Sequence, residues 1–431
     1  MGTIARCGWG CLAMAAAAGA IPPSASAATP TTELAFSGFE GAIPTGGNLL
    51  SINQAIYGAT YAGGTNDLGT VFQLPATPNG QAGPLHSFSG PDGIHPNGGL
   101  AADTAGNLYG TTPAGGPANL GTVFKLTKPA TAGGAWGLTL LHAFAGGADG
   151  SAPQAGPTIG PDGTLYGTAS RGGSGTAPVC KTLVPTLTSP DPTASSASGC
   201  GTVFKISPSG AFSIVHEFSG THADGWYPNT NLVMDPAGDL IGATGAGLDE
   251  DNSGYLFKIT PALAYSIVTT FHVGSAVLVV GTIARDSAGN VFGMSLLSGP
   301  PFGSLGPGIF EVTAVTHKLV LLASLGPQLS TSGVSLDHAG NLYFTTNGAV
   351  TGSAGAAGIP TGGGALFVMS HAAGTPMQLA AFGPANQSPT GSVTQDSAGH
   401  LWGQTSAGGK TCLTAFNPAA TGCGTIYEIS P

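Results

Sequence analysis

Charged side chains are scarce in this sequence. Only 7% of its 431 residues are Asp, Glu, Lys or Arg, against roughly 25% in an average soluble domain. Ten basic residues stand against twenty acids, for a net charge of −10. Proteins that bind nucleic acid draw affinity from many Lys and Arg contacts to phosphate, so no nucleic-acid partner is expected. The same shortage argues against docking on an anionic membrane. Long apolar runs are missing too. The longest, AVLVVGTIA at 276–284, is too short to span a bilayer and reads as a strand buried on both faces. No transmembrane segment is expected in the mature chain. Cysteine is rare, at six residues, with no zinc spacing and no interleaved His. No Walker or dinucleotide motif surrounds the glycine pairs, and no Gly-x-Ser-x-Gly elbow has an assignable His and Asp. Neither a metal nor a cofactor is expected.

What the sequence has instead is glycine in register. The stretch GGLAADTAGNLYGTTPAGGPANLGTVFKLT (98–127) holds three short apolar runs bounded by Gly, Asn and Pro, the pattern of strands joined by tight turns. It recurs along the chain. The Asp-x-x-Gly turn stands at Asp103, Asp235, Asp286, Asp337 and Asp396, with a shortened copy at Asp162 and one decayed to SINQ before Tyr57. Six places after each full Asp comes Tyr109, Ile241, Phe292, Tyr343 or Trp402. The third run carries Phe72, Phe124, Phe204, Phe257, Phe310, Phe367 and Tyr427. A fourth run follows, as in LHSF (85–88), LHAF (141–144) and VHEF (215–218). Seven copies of four strands, roughly 50–60 residues apart, predict an all-β, seven-bladed β-propeller of four-stranded blades over residues 28–431.

The run DxxGNLYGTTxxGG…GTVFKL…LHxF resembles the bacterial GloVer tandem repeat, the Gloeobacter/Verrucomicrobia repeat. The resemblance covers about residues 32–430 and is weakest in copies 4 to 6, where the Gly-Thr before the third strand is lost. It implies a secreted or surface repeat protein without an established activity. Many members end in a sorting or anchoring segment, whereas this chain ends directly after GTIYEIS, so no anchor is expected.

The order of strands within a blade follows from crowding at the axis. Small apolar runs such as GLAAD suit the innermost strand, NLYGTT is then second, GTVFKL third and LHSF outermost. ELAF (33–36) matches the outermost slot with no inner strands before it, while the last copy lacks an outer strand. The N-terminal strand is therefore expected to close the last blade and remove a free edge. Residues 1–27 read as a signal peptide: Arg6, a short apolar core at 11–21 and Ala25-Ser26-Ala27 before the cut. Cys7 and Cys11 leave with it. Cys180, Cys200, Cys412 and Cys423 remain. Their placement favours two local bridges, Cys180–Cys200 and Cys412–Cys423, in an exported protein.

Residue types repeated between blades read as scaffold. The turn aspartates belong there, and so do His86, His142 and His216, which share one outer-strand slot. Positions that vary between blades carry the functional reading. The outer-to-inner and second-to-third loops open on one face, the top, and the second kind holds the large insertions at 170–200, 295–307, 347–363 and 406–423. Candidate ligand-binding residues there are Asp92, His95, Arg171, His222, Asp224, Trp226, Tyr227 and Lys410. Aromatics with a polar edge suit sugars and peptides alike, and two cations select an acidic group. A core-capping role for Trp226 and Tyr227 stays open. The acids of LDEDNSG (248–254) read as a solvated turn rather than a calcium loop. Arg285 either faces the channel or meets an acid at the bottom. The expected function is a monomeric, secreted or surface-located binding module for a glycan, peptide or protein, with no catalytic residues assigned. The alternative is an exported propeller enzyme of lyase, glycosidase or lactonase type, which would gather acids, His or a metal around the axis.

Overall fold

The computed structural model describes residues 28–44, 47–75, 83–131, 133–175, 180, 199–221, 223–245, 254–271, 278–296, 308–325, 333–346, 363–370, 375–383, 386–412 and 422–430. The expected signal peptide, His222, the acids at 249–251 and most of the four long insertions lie outside the described residues.

The strands form seven antiparallel sheets. Blade 1 runs Leu50–Ile52, Ala55–Thr60, Thr70–Pro75 and Gly83–Ser87. Blade 2 runs Ala101–Ala102, Leu108–Thr112, Thr122–Thr127 and Gly137–Ala143. Blade 3 is Thr158–Ile159, Leu165–Ala169, Thr202–Ile206 and Phe212–Glu217; blade 4 is Val233–Met234, Leu240–Gly245, Gly254–Ile259 and Tyr265–Phe271. Blade 5 is Leu278–Arg285, Val291–Leu296, Gly308–Val312 and Leu319–Ser324; blade 6 is Ser335–Leu336, Asn341–Thr346, Ala365–Ser370 and Met377–Ala381. Blade 7 takes Asn386–Gln395, Leu401–Gly408 and Thr425–Ile429 from the C-terminal end and is completed by Thr31–Ala35, antiparallel to Thr425–Ile429. The expected strand order and ring closure are both present. A three-residue 3-10 segment, Gly147–Asp149, lies in the loop after the blade 2 outer strand. No helix among the described residues is long and apolar enough to cross a membrane.

Packing explains why the repeat is written as it is. In six blades the third-strand aromatic lies directly across from a second-strand glycine: Phe72 from Gly58, Phe124 from Gly110, Phe204 from Gly167, Phe257 from Gly242, Phe310 from Gly293 and Tyr427 from Gly403. A Cβ on any of these glycines would fall into the ring. Blade 6 departs from this, with Phe344 stacked on Phe367 at 5.4 Å. In six blades an aromatic ending the outer strand then reaches the next blade, edge-on at five joints and tilted at the sixth. Phe88 meets Phe124 at 5.2 Å, Phe144 meets Phe204 at 5.4 Å, Phe218 meets Phe257 at 5.4 Å and Phe271 meets Phe310 at 5.0 Å. Phe382 meets Tyr427 at 4.7 Å, and Phe36 closes the ring on Phe72 at 5.2 Å. Leu325 fills the remaining joint, in the cluster with Phe367. In blades 1 to 6 the outer strand is bulged against the third-strand aromatic, which adds the local twist a blade needs.

The turn aspartates are scaffold. Asp103 accepts the Ala105 and Asn107 amides at 3.0 and 2.9 Å, and Asp235, Asp337 and Asp396 repeat both bonds. Burial pushes the Asp103 carboxyl up, but bonds from Asn107, Tyr109 and the turn amides outweigh it and hold the group below its usual value. Asp396 is held low in the same way by Trp402 and His400. Burial and the bond to Asp103 push the Tyr109 hydroxyl up to about 12. The cysteines pair locally as expected, Cys180 with Cys200 (Cα–Cα 4.9 Å) and Cys412 with Cys423 (5.6 Å).

Two outcomes follow. Phe36 is fully buried, so Phe36→Ala should cost about 3–5 kcal/mol, and deleting residues 28–40 should lower the melting temperature further still, measured by calorimetry. A truncation that melts like the full mature chain refutes closure by this strand. The second outcome concerns pH. The depressed aspartates contribute stability above the unfolded carboxylate range and lose it as pH falls through their folded values. Tyr109, raised in the folded state, contributes fully below about pH 10 and loses it above. The melting temperature should therefore hold level between about pH 5 and 9 and fall on both sides. A rise on acidification below about pH 4 would contradict the clamp assignment.

Candidate functional site

The outer-to-inner and second-to-third loops share the top face, bridged at Ala42–Ala62, Ile94–Ala114 and Ser151–Arg171. Five outer-to-inner loops end on an X-Pro step whose X residue is left-handed: Ile43 (φ 54°), His95 (57°), Ala152 (52°), Tyr227 (55°) and Ser388 (56°). A residue before proline ordinarily prefers extended backbone, and the left-handed region costs a side chain such as Ile or Tyr on the order of 1 kcal/mol or more. Two contacts impose it. The X amide donates to a carbonyl of the preceding blade: Ile43 to Cys423, His95 to Leu68, Ala152 to Leu120, Tyr227 to Cys200 and Ser388 to Gly363, at 2.8–3.2 Å. The proline then lies on the glycine that opens that blade's third strand, Pro96 on Gly69 and Pro153 on Gly121 for example, where a Cβ would collide with it. The Gly-Thr of the repeat is thus half of a joint between blades.

The outer-strand histidines belong to the same loops. His86 Nε2 meets Asp92 at 2.8 Å, His142 meets Asp149 at 2.9 Å and His216 meets Asp224 at 3.3 Å. Each carboxylate also accepts a loop amide, from Ser89, Ala145 and Ser219 at 2.8, 2.6 and 2.9 Å. In the closing blade Glu40 does so from Ser37 at 3.1 Å. Burial pushes Asp92 up, but His86 and the Ser89 amide and hydroxyl outweigh it, so the group stays below its usual value.

The candidate residues fall into separate places. Asp92 and Asp224 clamp their loops. His95 is buried between blades 1 and 2, its Nδ1 2.6 Å from the Tyr61 carbonyl and its ring stacked on Tyr61 at 4.2 Å. Trp226 and Tyr227 are buried, 4% and 8% exposed, in one cluster with Cys180, Cys200, Val203 and Phe257. Arg171 lies over the Tyr227 ring at 5.8 Å, so these residues and the first disulfide form one group on blades 3 and 4. Burial pushes the Tyr227 hydroxyl up against the opposing pull of Arg171. Lys410 is exposed on blade 7, three blades from Arg171, so the two cations do not converge. Among the described residues no group of three His, Cys, Asp or Glu is arranged to hold a metal.

The axis holds residues that the reading of variable loops passed over. Innermost strands approach backbone to backbone: a Cβ on Gly98 would meet Gly156, and one on Gly47 would meet Gly99. What remains open is a cavity of about 150 Å³ whose polar side chains are Asn48, Gln154, Thr158, Asn229, Asn231 and Thr282. Its wall is bonded across blades. Asn97 donates to Gln154 at 2.9 Å, Asn231 Oδ1 accepts the Ile283 amide at 2.9 Å, Gln404 donates to the Gly47 carbonyl at 2.8 Å, and Ser392 bonds Asn48. The Asn229 Oδ1 is buried and has no hydrogen-bond partner among the described residues. The signal was present: the residue after the loop proline reads Asn97, Gln154, Asn229 and Thr390, polar side chains amid glycine and alanine. Arg285 ends the blade 5 innermost strand, half-buried, and its Nε has no hydrogen-bond partner among the described residues.

Comparison with known proteins gives a partial repeat match and the fold. Residues 14–179 match the model of the Gloeobacter/Verrucomicrobia repeat. No curated protein sequence matches the chain. Among solved structures, the extracellular domain of a putative hybrid two-component system from B. thetaiotaomicron superposes with a TM-score of 0.54 at 9% identity, over 94% of this chain and 40% of that one. A puromycin hydrolase superposes with a TM-score of 0.52 at 10% identity, over 93% of this chain and 57% of that one. This chain therefore spans 40% and 57% of those two chains, and at such identities the likeness is one of fold. The protein is a seven-bladed β-propeller whose residues 14–179 match the Gloeobacter/Verrucomicrobia repeat.

Proposed function

We propose that this propeller is an exported binding module whose top face takes the neutral, hydroxyl-rich end of a glycan. The observation that carries the reading is the axial cavity, where Asn48, Gln154, Asn229 and Asn231 stand with Thr158 and Thr282. Amides and hydroxyls orient sugar hydroxyls by hydrogen bonds and hold no titrating proton near neutral pH. The size limits what enters. A cavity of about 150 Å³ admits one terminal sugar or its hydroxymethyl arm, so the rest of the ligand lies on the rim, which the buried His95, Arg171 and Tyr227 help to hold in place. Asp92, Asp224 and Trp226 serve that rim from behind, by holding its loops. Export, with removal of residues 1–27, is part of the proposal. The two disulfides support it, since such bonds persist in oxidising compartments.

Asn229 is the residue to change, because its Oδ1 has no hydrogen-bond partner among the described residues. A glycan array probed with residues 28–431, followed by calorimetry on the best ligand, should show binding without turnover. Asn229→Ala should weaken it about tenfold, the worth of one hydrogen bond, with an unchanged melting temperature. Conversion of the bound glycan into products would replace this reading with the enzymatic one. Equal affinity in Asn229→Ala would move the site away from the axis.

A further inference from the structure

The bottom of blade 1 departs from its neighbours. In blades 2, 6 and 7 the second-strand aromatic is tied to its turn aspartate: Tyr109 donates to Asp103 at 2.9 Å, Tyr343 to Asp337 at 3.1 Å and Trp402 Nε1 to Asp396 at 2.9 Å. Blade 1 has no such aspartate. Its turn is cut to Asn53-Gln54, both left-handed (φ 50° and 63°), the geometry of a two-residue hairpin. Tyr57 is left 6% exposed, and among the described residues nothing bonds its hydroxyl. Gln73, opposite Tyr57, replaces the lysine that stands over Tyr109 in blade 2. Both charged partners of the aromatic are thus gone at once.

The neighbouring blade encloses the space. In blades 3 and 4 the third and outer strands are joined by tight turns, closed by the bonds Ser207–Ala211 and Thr260–Ala264. In blade 2 the connection extends from Lys128 to Trp136, and Trp136 comes to rest against Tyr57, rings 6.0 Å apart at 66°. Between them lies a cavity of about 690 Å³, inside the roughly 300–1,000 Å³ range of ligand sites and far larger than the axial one. Its wall is mixed. Two aromatic rings offer apolar area, while the Tyr57 hydroxyl, Gln73, Asn53 and Lys128 supply hydrogen bonds. A sugar ring has the same duality, with an apolar C–H face and a rim of hydroxyls, and aromatic side chains with a polar tip match both.

We propose that this cavity is a second ligand site, for a pyranose residue, on the face opposite the proposed top-face site and independent of it. The pyranose stacks on Trp136, and its hydroxyls meet Tyr57, Gln73 and Asn53.

The test uses residues 28–431 and the methyl glycosides of glucose, galactose, mannose and glucuronic acid, followed by saturation-transfer NMR and by tryptophan fluorescence. At least one glycoside should bind with a millimolar Kd. Trp136→Ala should abolish that binding. Tyr57→Phe, which keeps the ring and removes only the hydroxyl, should weaken it about fivefold to tenfold with an unchanged melting temperature. Asn229→Ala should leave it untouched, which separates this site from the axial one. The proposal is overturned if no glycoside binds at about 50 mM, a concentration that would reveal even a weak site. It is equally overturned if binding survives unchanged in both Trp136→Ala and Tyr57→Phe, or if it is lost in Asn229→Ala.

Discussion

An aromatic ring laid on a glycine is the contact on which the rest of this propeller depends. Inside a blade the glycine lets the second strand accept the third-strand ring without a Cβ in its path. Across each of six joints that same ring receives, at 4.7–5.4 Å, the aromatic that ends the neighbouring outer strand. Edge-on aromatic pairs add specific geometry to burial. The result is a belt that runs through blades and joints alike, so one blade is not complete without the next. Phe36, from the N-terminal strand, is the link that makes the belt a ring.

A chain with so few charges still needs polar order, and it spends its carboxylates on loops. The turn aspartates gather backbone amides at the bottom, and Asp92, Asp149 and Asp224 do the same at the top with a histidine behind each. These groups are occupied by the scaffold. Apart from Lys128, the side chains that line the two openings are neutral, the axial amides on one side and the Tyr57–Trp136 cavity on the other.

The two openings also show how a repeat generates difference. Near the axis, the residue after the loop proline is Asn97, Gln154, Asn229 or Thr390, and amides at these places contribute to a polar wall. At the bottom of blade 1 the change is a deletion: a shortened turn removes the aspartate, and a longer hairpin from blade 2 covers the gap with Trp136. Neither change disturbs the belt, because the third-strand Phe72 and Phe124 stay fully buried. Substitution and loop length vary freely where the aromatic frame does not reach.

The sequence alone determined the blade number, the order of strands, closure by the N-terminal strand and the local disulfides. All of these are written in short-range patterns, such as turn chemistry, strand-length apolar runs and cysteines within one loop, repeated often enough to be compared with one another. Only the tertiary structure decided what the loops do. Trp226 and Tyr227 look like surface aromatics in sequence, yet both are buried against the next blade, because an X-Pro hook folds their loop inward. Asn48, Gln154, Asn229 and Asn231 come from three blades and acquire a meaning only when the ring brings them to one axis. Tyr57 and Trp136 are 79 positions apart and share a cavity because adjacent blades pack side by side. A local pattern records which strand a residue occupies; the closure of the ring determines which residue of another blade stands opposite.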